Sequence, residues 1–227
     1  MRKSLVFLLC LCLLCPCGAS AAEERKYIAL TFDDGPSGIY TRCLLAGLDA
    51  RDARATFFLC GYRLEQYPEL AEQILAGGHE IGIHGYSHEN MMPMSRREIA
   101  KEISDTRDLL PEKCNIRLLR PPGGCCSDAV GQVAGAMGLA IADWSLDPKD
   151  WATQDAAAVG RTILDRVRDG DIILMHDMTE SSVNAALNTV DLLQKRGFTF
   201  VTVSELARIR GCKLIPGAKY HRFPPEE

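Results

Sequence analysis

The chain has 227 residues, 47% of them hydrophobic and 25% charged, with a formal net charge of −4. The acidic balance argues against nucleic acid as a partner, and it gives no general attraction to anionic cell-wall polymers. A chain of this length buries one substantial core, so a single domain is the economical reading.

Arg2 and Lys3 precede an apolar run over 5–14. That run falls short of the ~20 residues a membrane span needs. Ala19-Ser20-Ala21 supplies the small residues of a cleavage site, so the pattern predicts a signal peptide over 1–21 and a mature chain from near Ala22. The protein is then secreted or associated with the cell envelope, without stable membrane insertion after cleavage. An uncleaved anchor is the weaker alternative. A lipoprotein is disfavoured, because Leu14 and Pro16 precede Cys15 and Cys17 where a small residue is needed. Losing Arg2 and Lys3 takes the formal charge from −4 to −6. Cys43, Cys60, Cys114, Cys125, Cys126 and Cys212 remain, with no CxxC spacing. Export permits disulfides, but the vicinal pair and the lack of a framework predict at least one buried free thiol.

Tyr27 to Phe32 reads as a buried strand running into Asp33-Asp34-Gly35-Pro36, where Gly-Pro stops it. The turn frees two adjacent carboxylates to converge, although strand residues otherwise alternate faces. Together they repel, so they call for a metal, an arginine or both. A plain turn of Asp, Gly and Pro is the bland reading. A helix over Tyr40 to Asp49 follows, with Leu44, Leu45 and Leu48 on one face. Next come a strand over Ala55 to Leu59, a helix over Glu69 to Ala76 ended by Gly77-Gly78, and a strand over His79 to Ile83. Ser95 and Glu98 form a capping box for a helix that buries Ile99, Ile103, Leu109 and Leu110. Further strands are predicted over Ile116 to Leu119, Leu139 to Trp144, Asp171 to Met175 and Phe198 to Val203. The helices between them run over Ser127 to Met137, Thr153 to Val167 and Val183 to Lys195, and a last one, capped by Ser204, ends at Arg210. The tail over 211–227 reads as loosely held.

Alternating strands and helices predict a parallel sheet. With about seven repeats and no glycine fingerprint after the first strand, the α/β fold expected over 22–210 is an irregular or incomplete (β/α) barrel in one domain. The polar residues that stand out follow the predicted strands: Asp33 and Asp34, His84 and His88, Arg120, Asp150 and Trp151, and His176. β/α barrels build their active sites at that end. The spacing His84-x-x-x-His88 puts two imidazoles on one side of a helical turn. With a carboxylate they form a two-His-one-carboxylate set that leaves positions open for water and substrate. Blander readings hold elsewhere: His79 as a core or strand-edge histidine, His221 as solvated tail, Asp147 as a turn former, and Met91, Met92 and Met94 as loop packing. Asp177 sits either behind the metal site or on the surface.

Five stretches together carry a resemblance: Thr31-Phe32-Asp33-Asp34, His84-x-x-x-His88, Arg120-Pro121-Pro122-Gly123, Asp147-x-x-Asp150-Trp151 and Leu174-x-His176. From Ile28 to Leu206 the chain resembles the polysaccharide deacetylases with a NodB homology domain, carbohydrate esterase family 4. The resemblance implies that Asp34, His84 and His88 bind a divalent metal, Zn²⁺ first, with Co²⁺, Mn²⁺ or Ni²⁺ as alternatives. It implies Asp33 as general base paired with Arg120, and His176 as general acid oriented by Asp150. Leu174 and Trp151 line the acetyl pocket, and the Gly123 N–H holds the oxyanion. Amide hydrolysis supports that division, since it needs an activated water, a polarised carbonyl and a proton for the leaving amine. Two positions depart from the family: Gly85 stands where Ser or Thr is usual, and Gly123 where an aromatic is frequent, which removes one wall of the sugar groove. Cys125 and Cys126 follow immediately, as wall residues or, less favoured, as thiol ligands.

The expected protein is therefore a monomeric, metal-dependent N-deacetylase of N-acetylated amino sugars in a polysaccharide, peptidoglycan first and chitin oligosaccharides second. A non-haem Fe(II) oxygenase would use the same triad, but Asp33 with its own arginine argues against it. An inactive sugar-binding module would not require the base and acid.

Overall fold

The computed structural model describes residues 25–225, so the leader expected over 1–21 lies outside the described residues. Among them, eight strands form one sheet in which every strand pairing is parallel. The strands are β1 (Lys26–Gly35), β2 (Ala55–Leu59), β3 (Glu80–Ile83), β4 (Leu118–Leu119), β5 (Ala140–Ala142), β6 (Ile172–His176), β7 (Phe198–Phe200) and β8 (Lys219–Tyr220). The helices are α1 (Ile39–Asp49), α2 (Gly61–Gln66), α3 (Pro68–Ala76), α4 (Arg96–Asp108), α5 (Asp128–Ala136), α6 (Ala156–Arg166), α7 (Glu180–Gln194) and α8 (Val203–Ile209).

The order β6-β1-β2-β3-β4-β5-β8 puts the longest strand, β1, inside the sheet. Its first residues, Lys26 to Ile28, pair with β7, and Ala29 to Asp33 pair with β6. Beyond β5, Leu146 forms a parallel bridge with Ile173 of β6, so the sheet curls back toward its other edge as an incomplete barrel. Side chains alternate along each strand and sort into two clusters. Ile28, Leu30 and Phe32 join Leu44 and Leu48 of α1, Ile99 and Ile103 of α4 and Val190 of α7 in the larger one, between sheet and helices. Ala29, Phe58, Leu118, Ala140, Ala142 and Ile172 form the smaller one inside the curl, closed below by Val203, Leu206 and Ala207 of α8. Each fully buried Leu or Phe contributes roughly 1.5–3 kcal/mol.

Local chemistry explains where prediction and structure part. The capping box is present: Ser95 Oγ accepts from Glu98 N at 3.3 Å, and Glu98 accepts from Ser95 N at 2.7 Å. Leu109, expected in the core, lies past the end of α4 and is 36% exposed. Ser204 does not cap α8. Thr202 does, accepting from Glu205 N at 3.2 Å. Ser204 instead donates, through hydroxyl and main chain, to Glu80, which also accepts from Thr56 Oγ1 at 2.9 Å. Helix α2 was not foreseen: it is one short segment whose buried face is only Gly61 and Leu64. The segment from Gly211 is not loosely held. β8 pairs with β5, and Phe223 packs into the inner cluster at 3% exposure.

Candidate active site

Along the inward faces, apolar residues give way to polar ones at the carboxyl ends. Ala29 and Thr31 lead to Asp33, Gly82 to His84, Leu118 to Arg120, and Ile172 and Leu174 to His176. Strand register places Asp33 directly beside His176.

Arg120 is fully buried, a position a charge holds only if paired and hydrogen-bonded. Its Nε donates to Ala142 O at 2.7 Å and its Nη2 to Asp143 O at 2.9 Å. Its Nη1 donates to Thr31 Oγ1 at 2.8 Å and to Asp33 Oδ1 at 2.7 Å. The guanidinium stacks over Phe58, 4.0 Å from the ring centre. Asp33, 3% exposed, is thus bound by the Arg120 guanidinium and faces the open end.

Asp34 stands near the end of β1, where the pairing with β2 shifts between Phe32 and Gly35, and has φ 69°. Its Oδ1 lies 3.2 Å from His84 Nε2 and 3.0 Å from His88 Nε2. His84 Nδ1 is 2.7 Å from Arg120 O, an acceptor, so Nδ1 carries the proton and Nε2 presents a lone pair. Asp34 Oδ1 is itself buried and takes no hydrogen bond. Two imidazole nitrogens and one carboxylate oxygen thus lie within 4.8 Å of one another, grouped as potential ligands around a common point. That donor set fits a divalent cation with open positions. Burial pushes the Asp34 carboxyl up, but the closely placed imidazoles of His84 and His88 outweigh it and hold the group well below the ordinary carboxylate range. The close approach of Asp34 pushes His88 up against its burial.

The two histidines do not share a helical turn as their spacing suggested. They stand on a loop after β3, with Gly85 at φ 84° and His88 at φ 64°. Glu102 of α4, which the sequence reading missed, braces that loop. Its Oε2 accepts from Tyr86 N at 2.7 Å and Ser87 N at 2.8 Å, and its Oε1 from Ser87 Oγ at 2.9 Å. A Cβ on Gly85 would lie 3.1 Å from that same Oε2. An acidic residue four positions after the Ser95–Glu98 capping box was the only available signal, and it is indistinguishable from a solvated helix charge.

Asp150, 3% exposed, grips His176 twice. Its Oδ2 accepts from the main-chain N at 2.8 Å, and its Oδ1 is 2.9 Å from Nδ1. Burial pulls the His176 imidazolium down, but the bond and charge of Asp150, with the charges of Asp33 and Asp34, lift it to about 9. Asp147 shapes the approach by accepting from Lys149 N at 2.7 Å. Leu174 is buried beside His176, and Trp151 is 64% exposed on the turn Asp150–Ala152. Gly123 has φ 66° in the turn Pro122–Gly124.

The group that could hold a metal includes no cysteine, and all six described cysteines are free. Cys60 is the buried free thiol expected; burial and the nearby Asp34 and Asp33 push it far above its ordinary range. His79 is a core histidine, its Nδ1 accepting from Ala55 N at 3.1 Å. A cavity of about 1030 Å³ lies at the opposite end of the barrel beside Arg117 and Arg208, away from this chemistry. At the catalytic end, open cavities of about 460 and 410 Å³ run along Tyr40, Glu180 and Asn184.

Residues 20–142 match the sequence profile described as polysaccharide deacetylase. A peptidoglycan-N-acetylglucosamine deacetylase of Bacillus cereus is 38% identical over 194 residues, covering 83% of this chain and 91% of the relative. The peptidoglycan-N-acetylmuramic acid deacetylase PdaC of Bacillus subtilis is 35% identical over 189 residues, covering 82% of this chain, while the chain spans only 40% of that longer relative. The structure of a family 4 acetyl xylan esterase from Clostridium thermocellum, in complex with a cobalt ion, superposes with a TM-score of 0.80 at 32% identity, over 88% of this chain and 100% of the other.

Proposed function

The chain belongs to the polysaccharide deacetylases, hydrolases acting on carbon–nitrogen bonds, and on that premise we propose that it is a secreted, metal-dependent N-deacetylase of N-acetylated amino sugars in peptidoglycan. One observation carries the reading. Beside the lone pairs of Asp34, His84 and His88 stands a separate buried carboxylate with its own arginine, and next to it an imidazole held protonated. Binding alone needs neither of the last two groups. An oxygenase needs the triad but not the acid and base.

Asp34, His84 and His88 would hold a divalent cation, which would supply Lewis-acid polarisation of the amide carbonyl and a lowered pKa for an attacking water. Zinc is our choice, with Co²⁺, Mn²⁺ or Ni²⁺ as substitutes. Asp33 takes the proton of that water as general base, and Arg120 keeps its carboxylate aimed. His176 donates from Nε2 to the departing amine nitrogen, while Asp150 fixes its ring and charge. The Gly123 N–H donates to the developing oxyanion, an interaction worth roughly 3 kcal/mol. Leu174 and Trp151 border the acetyl group.

Peptidoglycan is favoured because the B. cereus and B. subtilis relatives carry that substrate in their names. Chitin oligomers are the second reading, because chitooligosaccharide deacetylases of Sinorhizobium fredii and Azorhizobium caulinodans are 31% and 34% identical. We further propose that the mature chain starts near Ala22 and acts as a monomer at the cell envelope. No helix of the described residues is long and apolar enough to cross a membrane. Acetate release from peptidoglycan and from chitin oligomers, with and without chelator, tests the reading. We expect chelator-sensitive release with peptidoglycan preferred. Release that survives complete metal removal, or none from either polymer, refutes it.

A further inference from the structure

The turn that carries Gly123 is tied to the C-terminal segment. Gly123 and Gly124 both have left-handed backbones, φ 66° and 67°, so the turn lacks the steric restraint side chains provide. Gly124 N donates to Pro121 O at 2.9 Å. Its other peptide unit is held from β8, where Lys219 Nζ donates to Gly124 O at 3.3 Å. The same ammonium pairs with Asp143 Oδ2 at 2.5 Å.

Asp143 is 5% exposed, and its Oδ1 has no hydrogen-bond partner, so Lys219 is the cation in contact that offsets a buried charge. His221 lies farther off, with Nδ1 3.8 Å from Oδ2. The main chain of Asp143 donates to Tyr220 O at 2.8 Å and accepts from Arg120 Nη2 at 2.9 Å. A single strand-end residue thus joins β8 to the guanidinium that holds Asp33, while its ionic partner reaches the glycine turn. A Cβ on Gly124 would lie 2.8 Å from Trp144, so the turn is seated against that ring as well.

We propose that Lys219 is a positioning residue: by holding the Gly124 carbonyl against the Asp143 carboxylate, it orients the turn that presents the Gly123 N–H to the reacting carbonyl. The inference rests on the reading of Gly123 as an oxyanion donor, and it makes the C-terminal segment part of the catalytic unit. Removing one such donor costs about 10²–10³ in kcat, and loosening it costs a share of that.

The test compares the full chain with Lys219→Met, Lys219→Arg and the double variant Lys219→Met/Asp143→Asn, in kcat, KM, metal content and Tm. Lys219→Met is expected to lose about tenfold to a hundredfold in kcat, with KM and metal content little changed. Lys219→Arg recovers most of the loss, because a guanidinium reaches both oxygens. The double variant removes the stranded carboxylate charge, so its Tm recovers while its kcat stays low. Wild-type kcat in either Met variant overturns the inference, as does a loss that follows Tm and returns in the double variant. Wild-type protein without turnover defeats both this inference and the deacetylase reading; an active wild type with an indifferent Lys219 defeats this one alone.

Discussion

Asp150→Asn separates the proposed acid from its surroundings. His176 is subject to opposed effects: burial pulls its imidazolium down, and Asp150 with the other site carboxylates lifts it to about 9. At pH 7 a group of that value is about 99% protonated. In the variant the burial remains and the charge of Asp150 is gone. The value then falls from about 9 toward the ordinary ~6.5, with only the charges of Asp33 and Asp34 left to oppose burial, and a smaller share of the enzyme carries the proton at pH 7. The sign is fixed: the acid works below its pKa, so wild-type turnover holds up to about pH 9 and then falls. The alkaline limb of the variant moves down toward ~6.5. The folded value is raised, so the contribution of this pair to stability is complete below ~6.5 and fades as pH rises through about 9. Asn also offers one acceptor where the Asp uses two, toward the main-chain N at 2.8 Å and Nδ1 at 2.9 Å. One buried donor is left without a partner, which costs roughly 1–3 kcal/mol and lowers Tm. The measurement is kcat against pH for both proteins with metal content matched. An alkaline limb that stays in place in Asp150→Asn shows that His176 is not the acid.

Three further outcomes are expected. Asp33→Asn keeps its metal and loses about 10²–10⁴ in turnover, whereas Asp34→Ala loses the metal; mass-spectrometric metal content beside acetate release distinguishes them, and the opposite pattern means the two aspartates are reversed. Glu102→Ala frees the Tyr86 and Ser87 amides it now holds and weakens metal affinity by about tenfold to a hundredfold, read by competition with a chromogenic chelator; unchanged affinity removes Glu102 from the site. Thiol titration gives at least one group that reacts only after denaturation, Cys60; a denatured, unreduced chain with no free thiol contradicts this.

The strands and most helices were legible because their signals are local: apolar runs for β1 and β2, a capping box for α4, glycines after α3 and α7. What escaped depended on partners distant in sequence. Ser204 looks like a cap, but Glu80, 124 residues away, takes its hydroxyl and amide, and the cap passes to Thr202. The C-terminal segment has the composition of a loose tail. It is ordered because Asp143 N and Ile141 N donate to Tyr220 O and Ala218 O at 2.8 Å, giving the exposed edge of β5 a partner. No pattern within 211–227 announces that.

The site shows the same division most clearly at its two adjacent carboxylates. Their identity and joint need for a cation were readable, but their separate fates follow from one backbone angle. Asp33 continues the inward series of Ala29 and Thr31, so strand parity alone delivers it to Arg120. Parity would send Asp34 outward, toward the helices. Its φ of 69°, where the β1–β2 register shifts between Phe32 and Gly35, breaks that parity and turns its carboxylate back toward His84 and His88. That irregularity needs a neighbour of minimal size: a Cβ on Gly35 would lie 2.7 Å from Asp177 Oδ1. Asp177 is itself fully buried, held by the Thr41 hydroxyl, and burial pushes its carboxyl up to about 6. It was read as either surface or behind the metal site, and it lies behind Gly35 at the end of β1. The Asp-Asp-Gly stretch is thus not the plain turn of the bland reading: it stays within β1, and the irregularity in its pairing with β2 divides one pair of carboxylates into an arginine-bound group and one that faces two imidazoles.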